Sequence, residues 1–119
     1  MRFMIIVKAT EESERGDMPS SELLEAMGKF NQELTAAGVM VSGDGIKASS
    51  KGARVKFNGK DRTVTKGPFP NPNELVAGFW IWKLNSLDEA IAWVKRCPNP
   101  MTGPSEIEIR EFFEAEDFA

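Results

Sequence analysis

Histidine and tyrosine are absent from this chain, and cysteine occurs once, as Cys97. Without histidine the usual imidazole general base is missing, and neither a Ser-His-Asp nor a Cys-His arrangement can be assembled. One thiol and no imidazole leave zinc and copper without their ligands, so no metal and no cofactor is expected. A single cysteine also excludes an internal disulfide framework and suits a reducing compartment. Long apolar runs are lacking too. The opening "MRFMIIVKAT" has one basic residue and a short apolar run, too short for a signal-peptide core with its cleavage site or for a membrane span. The expectation is a cytoplasmic protein with no membrane role, whose acid–base repertoire is limited to carboxylates, lysines and Cys97.

What is present fits a folded domain. Hydrophobic residues at 41% and charged residues at 28% are ordinary for a globular chain, and 119 residues make one domain, 1–119. The net charge of −3 hides an asymmetry. Residues 47–66 hold seven basic side chains against the single acid Asp61, whereas the rest of the chain holds eight basic and seventeen acidic ones. A basic strip therefore sits in an acidic protein.

Periodicity orders the elements. "RFMIIVKA" reads as a strand apolar on both faces, with Phe3, Ile5 and Val7 opposite Met4 and Ile6. After a polar linker, "TEESERGDMP", a helix follows with a cap at Ser20 or Ser21, an apolar stripe of Leu23, Met27, Phe30, Leu34 and Ala37, and a stop at Gly38. "VMVS" is a short strand leading into "GDGIK". "ARVKFNGKDRTVT" predicts a hairpin turning at Asn58-Gly59, which would set Lys56 opposite Asp61 and Val55 opposite Arg62. Leu75 to Leu84 is a strong strand. "NSLDEAIAWVKRCP" predicts a helix with Ser86 and Glu89 spaced as a capping box and a stripe of Leu87, Ala90, Ile91, Val94 and Cys97, Trp93 at its edge. "EIEIREF" alternates as a final strand, and the acidic tail over 114–119 is expected to fray.

With the 47–66 hairpin set aside, the order is β-α-β then β-α-β, the split pattern of a ferredoxin-like α+β sandwich with both helices on one face of an antiparallel sheet. The other face carries apolar side chains with nothing in the chain to cover them. A two-fold homodimer through that sheet face is the expected solution.

The proline-rich stretch carries a resemblance. "TKGPFPNPNELVAGFWIWKLNSLDEAIAWVKRCP", with "ELTAAGVMVSGDGIK" before it and "EIEIR" after it, resembles the YCII-related family and, within it, the DGPF branch. The resemblance implies a ferredoxin-like fold assembled as a dimeric α/β barrel. For the wider family it implies enzymatic activity on the strength of a histidine, absent here, and an aspartate, and for the DGPF branch a link to transcription initiation through alternative sigma factors. Here Lys66 stands where the motif has aspartate, and Asn71 and Asn73 stand where acidic and basic residues are usual. Gly67, Pro68, Phe69, Glu74, Gly78, Glu108 and Arg110 match.

Each candidate site residue has a structural and a functional reading. Pro68, Pro70 and Pro72 stiffen a donor-poor loop, which suits a pocket mouth or a packing plug anchored by Phe69. Glu74, ahead of an apolar strand, is the one catalytic candidate, as a general acid or base if buried; alternatively it accepts backbone N–H groups or pairs with Lys66 or Arg110. Asp44 lies between two glycines, where a ligand can approach bare backbone, although such a pair is commonly a turn. Trp80 and Trp82 suit an aromatic pocket wall or a core. Cys97, on an apolar stripe at a helix C-terminus, reads as buried and inert. The basic hairpin suits phosphate contacts, but the acidic total and the missing recognition motifs disfavour nucleic acid, and lysines also guard hairpin edges. The combined expectation is a homodimeric, non-catalytic module binding a small ligand or a protein partner in transcription regulation. The alternative is a small enzyme working through Glu74, with Asp44 or Arg110 assisting, on an apolar or aromatic substrate.

Overall fold

A computed structural model describes residues 1–119. The elements are β1 (Arg2–Lys8), α1 (Glu11–Glu14), α2 (Ser21–Ala36), β2 (Met40–Gly45), β3 (Ala53–Asn58), β4 (Asp61–Lys66), β5 (Val76–Lys83), α3 (Leu87–Arg96) and β6 (Ile107–Glu111). The main sheet runs β2-β5-β1-β6, each neighbouring pair antiparallel, and β3 and β4 form a separate two-stranded sheet. This is the ferredoxin-like α+β order. Phe3, Ile5 and Val7 of β1 and Trp80 and Trp82 of β5 face Phe30 and Leu34 of α2 and Ala90 of α3, so both helices lie on one face.

The core is aromatic and centred on Phe30. Its ring meets Trp80, Trp82 and Trp93 edge-on, at centroid separations of 6.0, 6.1 and 6.2 Å. Such pairs contribute about 0.5–1.5 kcal/mol each beyond the area they bury. They also reset the face of α3. Ala90, Val94 and Cys97 of its expected stripe meet the core, whereas Leu87 and Ile91 are exposed and Trp93, expected at the edge, is half-buried against the core. The large indole decides which side of the helix turns inward. Ser20 and Ser86 cap α2 and α3 by accepting from Leu23 N and Glu89 N, both at 3.1 Å. The reciprocal half of the Ser86 box is displaced by one residue, since Glu89 accepts from Asn85 N.

The opposite sheet face pairs Met4 with Ile81 and Ile6 with Phe79, all half-exposed. On β6 the same face continues as Arg110 beside Met4 and Glu108 beside Ile6.

The hairpin forms in a different register from the one its sequence suggests. Asn58 pairs with Asp61, Phe57 with Arg62 and Val55 with Val64. The turn therefore falls on Gly59-Lys60 rather than Asn58-Gly59, with φ of +60° at Gly59, the residue best able to adopt it. The shift places Val55 against Val64 and lays the Arg62 guanidinium over the Phe57 ring at 4.6 Å.

The linker after β1 contains a helical turn that periodicity missed. Thr10 and Ser13 cap α1 reciprocally, and Glu14 reaches the turn before the hairpin. Its carboxylate accepts from Ser49 N at 2.9 Å and from Ser49 Oγ, and Ser49 Oγ in turn accepts from Phe69 N at 2.9 Å. Gly67 N donates to Gly52 O at 3.0 Å, and Arg54 lies over the Phe69 ring at 4.0 Å. The Gly-Pro-Phe turn is thus bolted to the base of the hairpin. A side chain at Gly67 would overlap the Ser49 carbonyl, which is backbone and cannot swing aside. Gly67→Ala is expected to lower stability by about 1–3 kcal/mol, the usual cost of overpacking. Gly28→Ala, in a helix with open space around it, should cost nothing. Equal urea midpoints for the two variants would refute the clamp.

Candidate functional site

A glycine-rich patch of the sheet, open at Gly45, leaves a hole beneath α2. β2 carries a register shift between Met40 and Ser42, after which Gly43 pairs with Trp80 and Gly45 with Gly78. Alternation then puts Gly43, Gly45 and Gly78 on the helix-covered face of the sheet, where none of them supplies a side chain. The result is a cavity of about 610 Å³ between β2, β5 and the N-terminal half of α2. Leu23, Leu24 and Met27 of α2 roof it, Trp80 and Met40 wall it, and Pro100 and Met101 close one end. The same hole explains why Leu23 and Met27 are only half-buried although they lie on the helix's apolar stripe.

The polar inventory of the cavity is small. Asn31 is committed, its Oδ1 accepting from Trp80 Nε1 at 2.9 Å and so holding the indole against α2. Ser42 and Asp44 line the edge, Asp44 being the only ionisable residue among the seventeen that do. Pairing with Phe79 puts Asp44 on the sheet face opposite Trp80, so it contributes to the rim of the cavity and not to its floor. β2 is an edge strand, and one row of its backbone N–H and C=O groups is therefore free to meet a ligand.

The residues singled out from sequence separate into distinct places. Asp44 and Trp80 belong to this cavity. Trp82 is completely buried in the core beside Phe30, its Nε1 without a partner. Lys66 is exposed at the end of β4, and Phe69 lies under Arg54 at the hairpin base. Glu74 is exposed beside Asn71, whose Nδ2 donates to it at 3.4 Å, so the burial that general acid–base work would need is missing in the chain itself. Arg110 is exposed on β6 and paired with Glu108 at 3.2 Å. That bond first, and the Lys8 charge second, hold the Glu108 carboxyl below the usual glutamate range. The sequence already showed "GDG" as bare backbone. That Gly78 joins those two glycines follows only from the strand register, as does the contribution of Met101 from across the chain.

A family model of the YCII-related domain matches residues 1–113. The chain belongs to the YCII-related family. No curated protein matches the sequence of this YCII-related chain significantly. Among solved structures it is similar to 5-chloro-2-hydroxyhydroquinone dehydrochlorinase (TftG) from Burkholderia phenoliruptrix AC1100, in complex with 2,5-dihydroxybenzoquinone. Identity is 16%, the alignment covers 98% of each chain and the TM-score is 0.55, a likeness of fold.

Cys97 lies outside the cavity. Burial raises its thiol from the ordinary 9.0 to about 11, so the thiolate is scarce at neutral pH. In the folded protein an aromatic disulfide reagent at pH 8 should leave it essentially unreacted, and urea should expose it. The neutral thiol's stabilising contribution is complete below its unfolded value and is lost as pH rises from about 9 towards 11. Rapid labelling of native protein would overturn the assignment.

Proposed function

We propose that this YCII-related chain is a homodimeric module that binds a small, flat, mainly apolar molecule in the glycine-floored cavity. The carrying observation is the cavity itself. Its volume suits a small organic ligand, its walls are aliphatic and aromatic, and a few polar groups at one edge are available to orient the molecule. The TftG complex, with a dihydroxylated six-membered ring bound to a related fold, supports that choice of ligand shape. Such a dimer would act as a sensing component, in line with the accessory role in transcription that the DGPF resemblance of the KGPF turn implies. The single cysteine suits a reducing, cytoplasmic setting.

Gly45 provides the test of the cavity. A Cβ there would meet nothing within 4 Å, so Gly45→Leu can start a side chain towards the hole without displacing backbone. Hydroxylated benzoquinones and hydroquinones should quench Trp80 fluorescence and raise the melting temperature of the native protein, by about 2.7 kcal/mol of stabilisation at a hundred-fold excess over Kd. Gly45→Leu should abolish both effects while keeping its fold. Undiminished binding by Gly45→Leu would move the site elsewhere.

A second reading, a small lyase or isomerase, is favoured by the dehydrochlorinase activity named for TftG. On this reading the acid–base role passes from Glu74 to Asp44, which is as exposed as Glu74 but stands at the cavity edge, where a bound ligand would cover it. Chloride release from a chlorinated hydroquinone that disappears in Asp44→Asn, with binding retained, would establish it. Turnover that survives in Asp44→Asn would reject it.

The assembly reading rests on the apolar face formed by Met4, Ile6, Phe79 and Ile81. A face of this kind on a four-stranded sheet needs cover, and a second sheet provides it. Ile6→Glu should convert a dimer to a monomer in light scattering at micromolar concentration, and a wild-type monomer would defeat the reading.

A further inference from the structure

The β3–β4 hairpin is amphipathic, yet every one of its strand residues is exposed. Its register collects Val55, Phe57 and Val64 on one face, bracketed by Arg62 towards the tip and Lys66 at the base. Phe57 is 70% exposed and Val64 60%. The other face, with Lys56, Thr63 and Thr65, is polar. An isolated two-stranded hairpin is marginal in water, and alternation this clean on an unpacked arm has no use within the chain. The arm is nevertheless fixed in direction, because Glu14, Ser49, Gly67 and Phe69 lock its base. It stretches the molecule: the radius of gyration is 16.2 Å, against about 13.5 Å expected for a compact chain of this length.

Charge decides among the occupants. Two arms packed face to face would oppose two strongly basic segments, each carrying seven basic residues against one acidic. The remainder of the chain has the opposite balance, eight against seventeen. Its most exposed aromatic pair, Phe113 and Phe118, has ring centroids 5.3 Å apart and exposures of 74% and 76%, and the exposed acids Glu111 and Glu116 belong to the same segment. The arm leaves the sheet beyond the Lys8 end of β1, whereas the tail follows the Glu111 end of β6, which pairs at the Phe3 end. A chain therefore presents its arm and the complementary surface at opposite ends.

We infer that the hairpin arm of one chain docks through Val55, Phe57 and Val64 on the acidic, aromatic C-terminal segment of a second copy. The contact needs self-association but not the sheet-face geometry proposed above. It accounts together for the basic strip, the apolar alternation of the arm and the exposed phenylalanine pair.

Two double variants of the full chain test it, an arm reversal (Lys60→Glu with Lys66→Glu) and a tail reversal (Glu111→Lys with Glu116→Lys). All four positions are exposed, and native circular dichroism checks that the fold is kept. Each reversed chain alone should associate at least ten-fold more weakly in sedimentation equilibrium, because like charges then meet at both reciprocal contacts. An equal mixture of the two should associate like the wild type, since every reversed arm meets a reversed tail. Phe57→Ser should weaken association without being rescued by the tail reversal. Wild-type association by the arm-reversed chain, or a mixture no tighter than its components, would overturn the inference. So would an arm reversal that leaves association intact and abolishes binding to a 20-base-pair DNA duplex, which would make the arm a nucleic-acid contact. If Ile6→Glu fails to dissociate the protein while the mixture is rescued, the sheet-face reading fails alone. If Ile6→Glu dissociates it and the reversals do nothing, the arm inference fails alone.

Discussion

The edge-on seat of Phe30 among Trp80, Trp82 and Trp93 is the contact on which the rest of this fold depends. It joins α2, β5 and α3 through one ring, and it fixes the distance at which α2 crosses the sheet. Because that distance is set by bulky aromatics over one half of the sheet, α2 cannot drop onto the other half. There Gly43 is covered by the Trp80 ring and Gly78 lies close against the β2 backbone, while the space above Gly45 remains open. The cavity is a consequence of packing one half of a helix on indoles and the other half on glycines.

The same indole connects core and site. Trp80 packs on Phe30 with its ring and is held by Asn31 through its Nε1, so one face of the cavity wall is as immobile as the core. Rotamer freedom in the wall lies instead with Met27, Met40 and Met101, whose unbranched thioethers adapt to the outline of a guest. The cavity thus sets a rigid aromatic surface against flexible sulfur. Glu74, the carboxylate most attractive from sequence, ends on a solvent-facing turn whose work is to lead from the Gly-Pro-Phe clamp into β5.

Much of the architecture was legible in the residues. Period-two patterns marked β1, β5 and β6, and serine caps marked α2 and α3, because these signals are local and strong. Three features were not legible, each for a non-local reason. α1 is a single turn, too short for any hydrophobic period, and is stabilised by the Thr10 and Ser13 caps and by its bond to Ser49. The hairpin register follows pairing of Val55 with Val64 and Phe57 with Arg62, and this outweighs the local preference of Asn58-Gly59 for the turn. The inward face of α3 follows Trp93, whose partner Phe30 lies on another helix.

By itself the sequence determined the split β-α-β order, the absence of imidazole chemistry, the basic strip and the sheet apolar on both faces. Composition and alternation fix these without reference to neighbours. Only the tertiary structure decided where the cavity lies and which residues line it. A cavity is a property of side chains that are missing from adjacent strands, and adjacency is set by register, which no single segment contains. The proline-rich stretch illustrates both halves: its Gly-Pro-Phe was readable as a rigid turn, but that the turn clamps the hairpin depends on Ser49 and Glu14, far from it in the chain.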